Sequence, residues 1–198
     1  MRKDILVFNI CNFMGRHGGA VLGENVVQSI LSDFSCKKNK GVEDFLKYNA
    51  VEFSKKHQSV TYLVLDKDDL AVLGYFTLAL KPITIDAMKF SKTTLKKIAR
   101  VSKLSEDQEQ YSLAAYLIAQ LGKNFSGDLA KRISGNDLLD AALEEVRDLQ
   151  NRVGGMVCFL EAENHEKLLR FYTDYGFKSY DERKIKGDIT LVQMLKIL

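Results

Sequence analysis

Along this chain the apolar residues change their spacing from helical intervals to strand intervals and back, and that alternation fits a mixed α/β sheet wrapped by helices. From Gly41, Val42, Phe45, Leu46, Ala50 and Phe53 fall on one helical face, with Lys47, Lys55 and Lys56 elsewhere. Thr61–Leu65 and Leu70–Leu80 are rich in β-branched and aromatic residues, and the acidic turn Asp66-Lys67-Asp68-Asp69 between them predicts a hairpin. Over residues 86–106, Lys89, Lys92, Lys96, Arg100 and Lys103 recur at helical intervals, which predicts one basic helix face with Leu95 and Ile98 turned inward. Tyr111–Leu121 reads as a strand, and Leu138–Leu149 as a helix with Leu139, Leu143 and Val146 on its buried side. After Gly154-Gly155 come a short strand, Met156–Leu160, and a helix over 164–175 that Asn164 would cap and Gly176 would end. Two last strands turn through Lys186-Gly187-Asp188 and close at Leu195–Leu198.

With 198 residues, nearly half of them hydrophobic, and a single proline, the chain is sized for one core and has no long extended linker. We expect residues 34–198 to form that domain and residues 1–33 an N-terminal extension, either an arm or an extra strand. The cluster Gly15-Arg16-His17-Gly18-Gly19 within it matches neither a Walker loop nor a dinucleotide fingerprint. A formal charge of +3 does not by itself imply nucleic-acid binding, so any basic surface must be local. Cys11, Cys36 and Cys158 are odd in number and lack zinc-ligand spacing, and His17, His57 and His165 form no cluster, so no metal site is expected. Asn9 and Asn12 break the N-terminal apolar run and no apolar stretch reaches the roughly 18 residues of a membrane span, so the expectation is a reduced, cytoplasmic protein without membrane contact.

Chemistry concentrates in two segments. Arg132-Ile133-Ser134-Gly135-Asn136-Asp137-Leu138-Leu139 places a glycine and unpaired amides at a helix start after a strand, an arrangement suited to phosphate although, taken alone, more often just a turn. Asn164 to Phe177 ends in Phe171-Tyr172, with Gly176-Phe177 following. That second segment resembles the element of GNAT acetyltransferases in which an Asn opens a helix ending in Phe-Tyr-x-x-x-Gly-Phe. The first is similar to the family's pyrophosphate loop, with Asp137 standing where the family normally has Gly or Ala. Val42–Leu46, Thr61–Val64 and Gly74–Leu78 further resemble the GNAT branch that includes toxins acetylating the α-amine of aminoacyl-tRNA.

The resemblance implies an α/β (α+β) fold, a mixed and mostly antiparallel central sheet flanked by helices, and acetyl-CoA as acyl donor. It implies that Arg132 opens a cofactor-binding loop in which the amides of Ile133, Ser134, Gly135, Asn136 and Asp137 meet the pyrophosphate, that the backbone of Leu121, Gly122 and Lys123 pairs with the pantetheine arm, and that Asn164 hydrogen-bonds the cofactor. Tyr172 matches the family's general acid; without the resemblance its ring would read as packing beside Phe171 and Phe177. A carboxylate at 137 would repel a pyrophosphate unless it points away. No side chain declares itself a general base, which leans towards an α-amine acceptor, since such an amine has a pKa near about 8 and a lysine one near about 10.4. Glu161 and Glu163 could act through water, but carboxylates at such strand ends are more often simply solvated. Cys158 reads as core rather than nucleophile. The implied activity is N-acetyl transfer, to aminoacyl-tRNA or to a small-molecule amine, and the alternative is a non-catalytic acyl-CoA-binding module. The lysine face suits a tRNA phosphate backbone, the 3′-phosphate of the cofactor or, more simply, solvation, and free strand edges permit a homodimer.

Overall fold

The computed structural model describes residues 4–14, 22–185, 187 and 189–198. The glycine cluster at 15–19, along with Lys186 and Asp188 of the last turn, lies outside these residues. Eight strands form a sheet in the order β1-β2-β3-β5-β6-β8-β7, with β4 on β5: Ile5–Asn9, Val60–Asp66, Val72–Asp86, Leu104–Ser105, Gln110–Lys123, Val157–Glu163, Lys178–Lys184 and Thr190–Ile197 are β1 to β8. The helices are α1 (Ile10–Phe13), α2 (Glu24–Ser32), α3 (Lys40–Asp44), α4 (Ala50–Lys55), α5 (Lys92–Ile98), α6 (Leu129–Arg132), α7 (Gly135–Val153) and α8 (Glu166–Asp174). Pairing is antiparallel for β1/β2, β2/β3, β4/β5, β6/β8 and β7/β8, and parallel for β5/β6. This is the mixed, mostly antiparallel sheet that the family resemblance implies.

The chain folds as two compact units, one of residues 1–79 and 118–145, the other of residues 80–117 and 146–198. In the first, Ile10, Val27, Leu31, Phe34, Leu46, Ala50, Leu63 and Tyr75 make the core. Residues 5–32, the stretch read from sequence as an extension, supply β1, which pairs with β2 from Ile5↔Asp66 to Asn9↔Tyr62, and α2, which buries Val27 and Leu31 at i, i+4 spacing. Asn9, one of the residues that interrupts the N-terminal apolar run, caps α1 by accepting from the Cys11 amide at 2.9 Å. Between α3 and α4 the helix widens into a π-turn over Phe45–Asn49, and the side-chain NH2 of Gln28 donates to the Lys47 carbonyl there.

The β2–β3 hairpin forms where predicted, with Asp66 and Asp69 accepting from the amides of Asp68 and Ala71 in its turn. Two glycines then shape its surroundings. A Cβ on Gly74 would stand 2.7 Å from the Gly122 carbonyl and 2.8 Å from Leu138, and one on Gly122 would stand 2.5 Å from Val42 and 2.7 Å from Tyr75. These bare positions let the first turn of α7 press against β3 and the end of β5 while Tyr75, on the other face, donates to the Val42 carbonyl at 2.5 Å.

The second unit is built on Ile83, Ile85, Ile98, Tyr111, Leu113, Val157, Phe159, Tyr180 and Leu195. The parallel ladder between β5 and β6 comprises Tyr116↔Cys158 and Leu117↔Phe159. One helix expected over most of 86–106 is instead a single short one. Asp86 caps a 3-10 turn at Ala87–Lys89, Ser91 caps α5 through the Thr94 amide, and the chain leaves the helix at Ala99. Local caps thus divide the segment: Lys92 and Lys96 share a face of α5, Lys89 pairs with Asp181 at 3.1 Å, and Arg100 and Lys103 lie beyond the helix. Ile98 is fully buried and Leu95 packs beside it, as their spacing predicts.

Candidate functional site

The strand end and loop lie wholly in the first unit. Leu121, Gly122 and Lys123 are the last residues of β5. Asn124 follows, almost fully buried, and acts as a clamp: its amide donates to the Leu73 carbonyl (2.8 Å), its side-chain NH2 to the Val72 carbonyl (2.8 Å), and its side-chain oxygen accepts from Ser35 (3.1 Å) and Ser126 (3.0 Å). The one-turn helix α6 comes next, a feature that no periodicity signalled, since four residues hold too little pattern.

Arg132 ends α6 and turns its guanidinium to the hairpin, 2.7 Å from Asp69, 3.7 Å from Asp66 and 3.5 Å from Asp128. The Arg132 hydrogen bond holds the Asp69 carboxyl below its ordinary range. Ile133 is buried, whereas Ser134, Gly135 and Asn136 are exposed. The first intrahelical bond of α7 runs from the Leu138 amide to the Ser134 carbonyl, which leaves the amides of the preceding turn to other acceptors.

Asp137 makes a capping box with Ser134. The Ser134 amide donates to the Asp137 carboxylate at 2.8 Å, the Ser134 hydroxyl to the same oxygen at 2.6 Å, and the Asp137 amide to the Ser134 hydroxyl at 3.1 Å. The carboxylate therefore does not point away: it lies on the loop and occupies the Ser134 amide. The S-x-x-D spacing before an apolar run is a capping signature that was readable in the sequence. Along the same face of α7, Asp137, Asp140 and Glu144 line a cavity of about 280 Å³ with Asp4, Ile5 and Val7.

Asn164 and Tyr172 lie in the second unit. Asn164 is exposed, and its amide donates to the Thr190 carbonyl at 3.1 Å. The helix starts later than expected: α8 begins at Glu166, so His165 holds the cap position and Asn164 precedes it. The cause is a tight turn in which the His165 amide folds back on the Glu163 carbonyl at 2.7 Å. At the other end Gly176, at φ +81°, reverses the chain, and the amides of Tyr175 and Phe177 both donate to the Tyr172 carbonyl at 3.1 Å. This reversal brings the fully buried Phe177 ring to 6.0 Å from Tyr172, with Phe171 5.0 Å away. Tyr172 is only 9% exposed, and burial pushes its phenol up to about 12. Glu161 accepts from Arg183 and from Gln193 at 2.7 Å, so its carboxylate is engaged on the sheet. Burial likewise raises the Cys158 thiol to about 12, the behaviour of a core cysteine.

Among the described residues no group of His, Cys, Asp and Glu is placed to hold a metal ion, and no helix is long and apolar enough to cross a membrane. No protein-family model matches the chain, and no curated protein does. Solved structures do resemble it. AtaT in complex with acetyl-methionyl-tRNAfMet superposes with a TM-score of 0.64 at 17% identity, over 96% of this chain and 94% of that one. A tyrosine-to-phenylalanine mutant of KacT gives 0.61 at 18% identity, over 96% and 94%. An AtaT mutant toxin bound to acetyl-CoA and the C-terminus of its antitoxin AtaR gives 0.60 at 16% identity, over 98% and 94%. The chain therefore has the GNAT fold across nearly its whole length.

Proposed function

We propose that this chain is an acetyl-CoA-dependent N-acetyltransferase whose acceptor is the α-amine of an aminoacyl-tRNA. The observation that carries the reading is its likeness over 96% of its length to AtaT, which was captured with acetyl-methionyl-tRNAfMet. The exposed helix start after β5 and the Phe-Tyr-x-x-x-Gly-Phe helix end support it independently.

In this reading the amides at Gly135 and Asn136, at the positive end of α7, take the pyrophosphate, with Ile133, Ser134 and Asp137 shaping the turn. Arg132 anchors that turn to the β2–β3 hairpin. Leu121, Gly122 and Lys123 offer strand backbone to the pantetheine arm, and Asn164 a hydrogen bond. Acetyl-CoA supplies an acyl thioester, whose sulfur leaves far more readily than an amide nitrogen. The neutral amine adds to the acetyl carbon, the C–S bond breaks, the Tyr172 hydroxyl protonates the departing sulfur, and the amine's proton passes to water, from which Tyr172 regains its own. The Tyr172 phenol is protonated throughout the physiological range, as the donor of that proton must be. An α-amine, partly neutral at pH 7 with a pKa near about 8, needs no strong base, in keeping with Glu161 being engaged by Arg183 and Gln193. Such a reaction belongs in the cytoplasm, where both substrates are found, and a homodimer and a neutralising partner protein accord with it.

The test is release of free CoA thiol from acetyl-CoA on adding charged total tRNA. Deacylated tRNA, spermidine and an aminoglycoside serve as the other arms. Release with charged tRNA alone is expected; release with the small amines alone would overturn the choice of acceptor, and none with any amine would overturn the enzyme.

A further inference from the structure

The cations of this protein are unevenly paired. Over residues 40–56, Lys40, Lys47, Lys55 and Lys56 each lie within 3.7 Å of a carboxylate, and Lys89 pairs with Asp181 at 3.1 Å. From 92 to 103 the chain instead carries Lys92, Lys96, Lys97, Arg100 and Lys103 and no acidic residue. All five are exposed, and none has a carboxylate partner among the described residues. We propose that this segment of the second unit holds the phosphate backbone of the tRNA acceptor; the inference rests on the aminoacyl-tRNA reading.

Three observations carry it. First, the segment is a fixed platform. Ser91 caps α5 through the Thr94 amide at 3.3 Å, Ile98 is fully buried with Leu95 packed on the same core, and the Ser102 hydroxyl donates to the Ser112 carbonyl of β5 at 2.8 Å. Leu104 then pairs with Tyr111, so the backbone that bears the five cations is tied to the sheet at its far end. Second, the charges are unfavourably placed for the free protein. Lys92 opens α5, at the positive end of a helix whose first turn has no acidic residue, and Lys92 and Lys96 stand at i, i+4, where like charges repel. A polyanion offsets both costs. Third, the nearest carboxylates in sequence do not. Asp86, which caps the preceding 3-10 turn, and Glu106, Asp107 and Glu109, which lie between the segment and β5, make no ion pair with any of the five. A single terminal phosphate engages one or two cations, whereas a run of phosphates engages several along one segment, and each contact releases a counterion.

The experiment is filter binding of deacylated total tRNA across a salt series, with calorimetric titration of acetyl-CoA and a thermal melt beside it. The chains compared are the unaltered one, the triple variant Lys92→Gln, Lys96→Gln, Lys97→Gln, and Lys184→Gln as an exposed lysine outside the segment. Glutamine removes the charge and keeps the helix propensity, so the triple variant should melt no lower than the unaltered chain. It is expected to bind tRNA at least about tenfold more weakly, with the slope of log affinity against log salt shallower by about two to three, and to bind acetyl-CoA unchanged. Lys184→Gln should leave tRNA affinity as it was. Unchanged tRNA affinity and slope in the triple variant, or an equal loss in Lys184→Gln, overturns the proposal while the acetyltransferase reading stands. A loss confined to acetyl-CoA also overturns it, because the segment then serves the cofactor. Failure of the unaltered chain to bind tRNA, with acetyl-CoA still bound, overturns both this surface and the choice of acceptor.

Discussion

At the scale of single residues, burial and close approach set what each position can do. Tyr172 keeps its proton because little water reaches it. Tyr172→Phe should lower turnover about a hundredfold or more in a single-turnover assay while leaving acetyl-CoA affinity intact. Equal loss of both would mean that the hydroxyl only supports packing. The pH profile carries a second sign of the same chemistry. Activity should rise through the acceptor's own pKa, near about 8, and show no descending limb below pH 10, since the acid stays protonated until about 12. Gly74 offers a packing test. A Cβ there meets backbone at the Gly122 carbonyl, which cannot swing aside, so Gly74→Ala should cost about 1–3 kcal/mol in denaturant unfolding. The glycine of the Phe-Tyr-x-x-x-Gly-Phe segment was legible because a left-handed turn after a helix nearly demands glycine. Gly74 and Gly122 were not, because their neighbours come from other strands and from α7.

Elements are governed by their ends. The Ser134–Asp137 box fixes where α7 begins, and Ser134→Ala should destabilise the fold by about 1 kcal/mol in thermal melts, through the lost cap. At α3, Glu43 accepts from the Cys36 amide, Lys40 and Lys47, and these bonds bring its carboxyl from the ordinary 4.5 down to about 2. A carboxyl lowered on folding stabilises above its unfolded value and loses that effect as pH falls through its folded value. Glu43→Gln should therefore flatten the fall in melting temperature between pH 4.5 and about 2, and an unchanged acid slope would contradict it. Long periodic elements such as α7 and β5 were legible from spacing alone. The basic segment was not, because caps at Asp86 and Ser91 and the early exit at Ala99 outweigh the lysine periodicity. The π-turn at Phe45–Asn49 was hidden too, since its apolar spacing matches an ordinary helix.

On the scale of the whole molecule, strand order and element sequence carry the account. Alternating helical and strand spacing was enough to predict a mixed sheet, because each pattern buries its face in only one way. Spacing says nothing, however, of which distant strands pair. It did not reveal that Ile5–Asn9 would join β2, or that α2 would pack beside Leu46 and Tyr75 in one core. The candidate site was legible only as sequence-local segments, the loop before α7 and the helix α8, whose roles remain those proposed above. The pairing of Arg132 with the hairpin aspartates was not legible, because it depends on residues brought together from far apart. The most direct measurement is mass spectrometry of aminoacyl-adenosines released by nuclease from charged total tRNA after incubation with the chain and acetyl-CoA. The account predicts N-acetylated aminoacyl-adenosine that requires both the unaltered chain and the acetyl donor; unmodified aminoacyl-adenosines throughout, from a chain that binds acetyl-CoA, would contradict it.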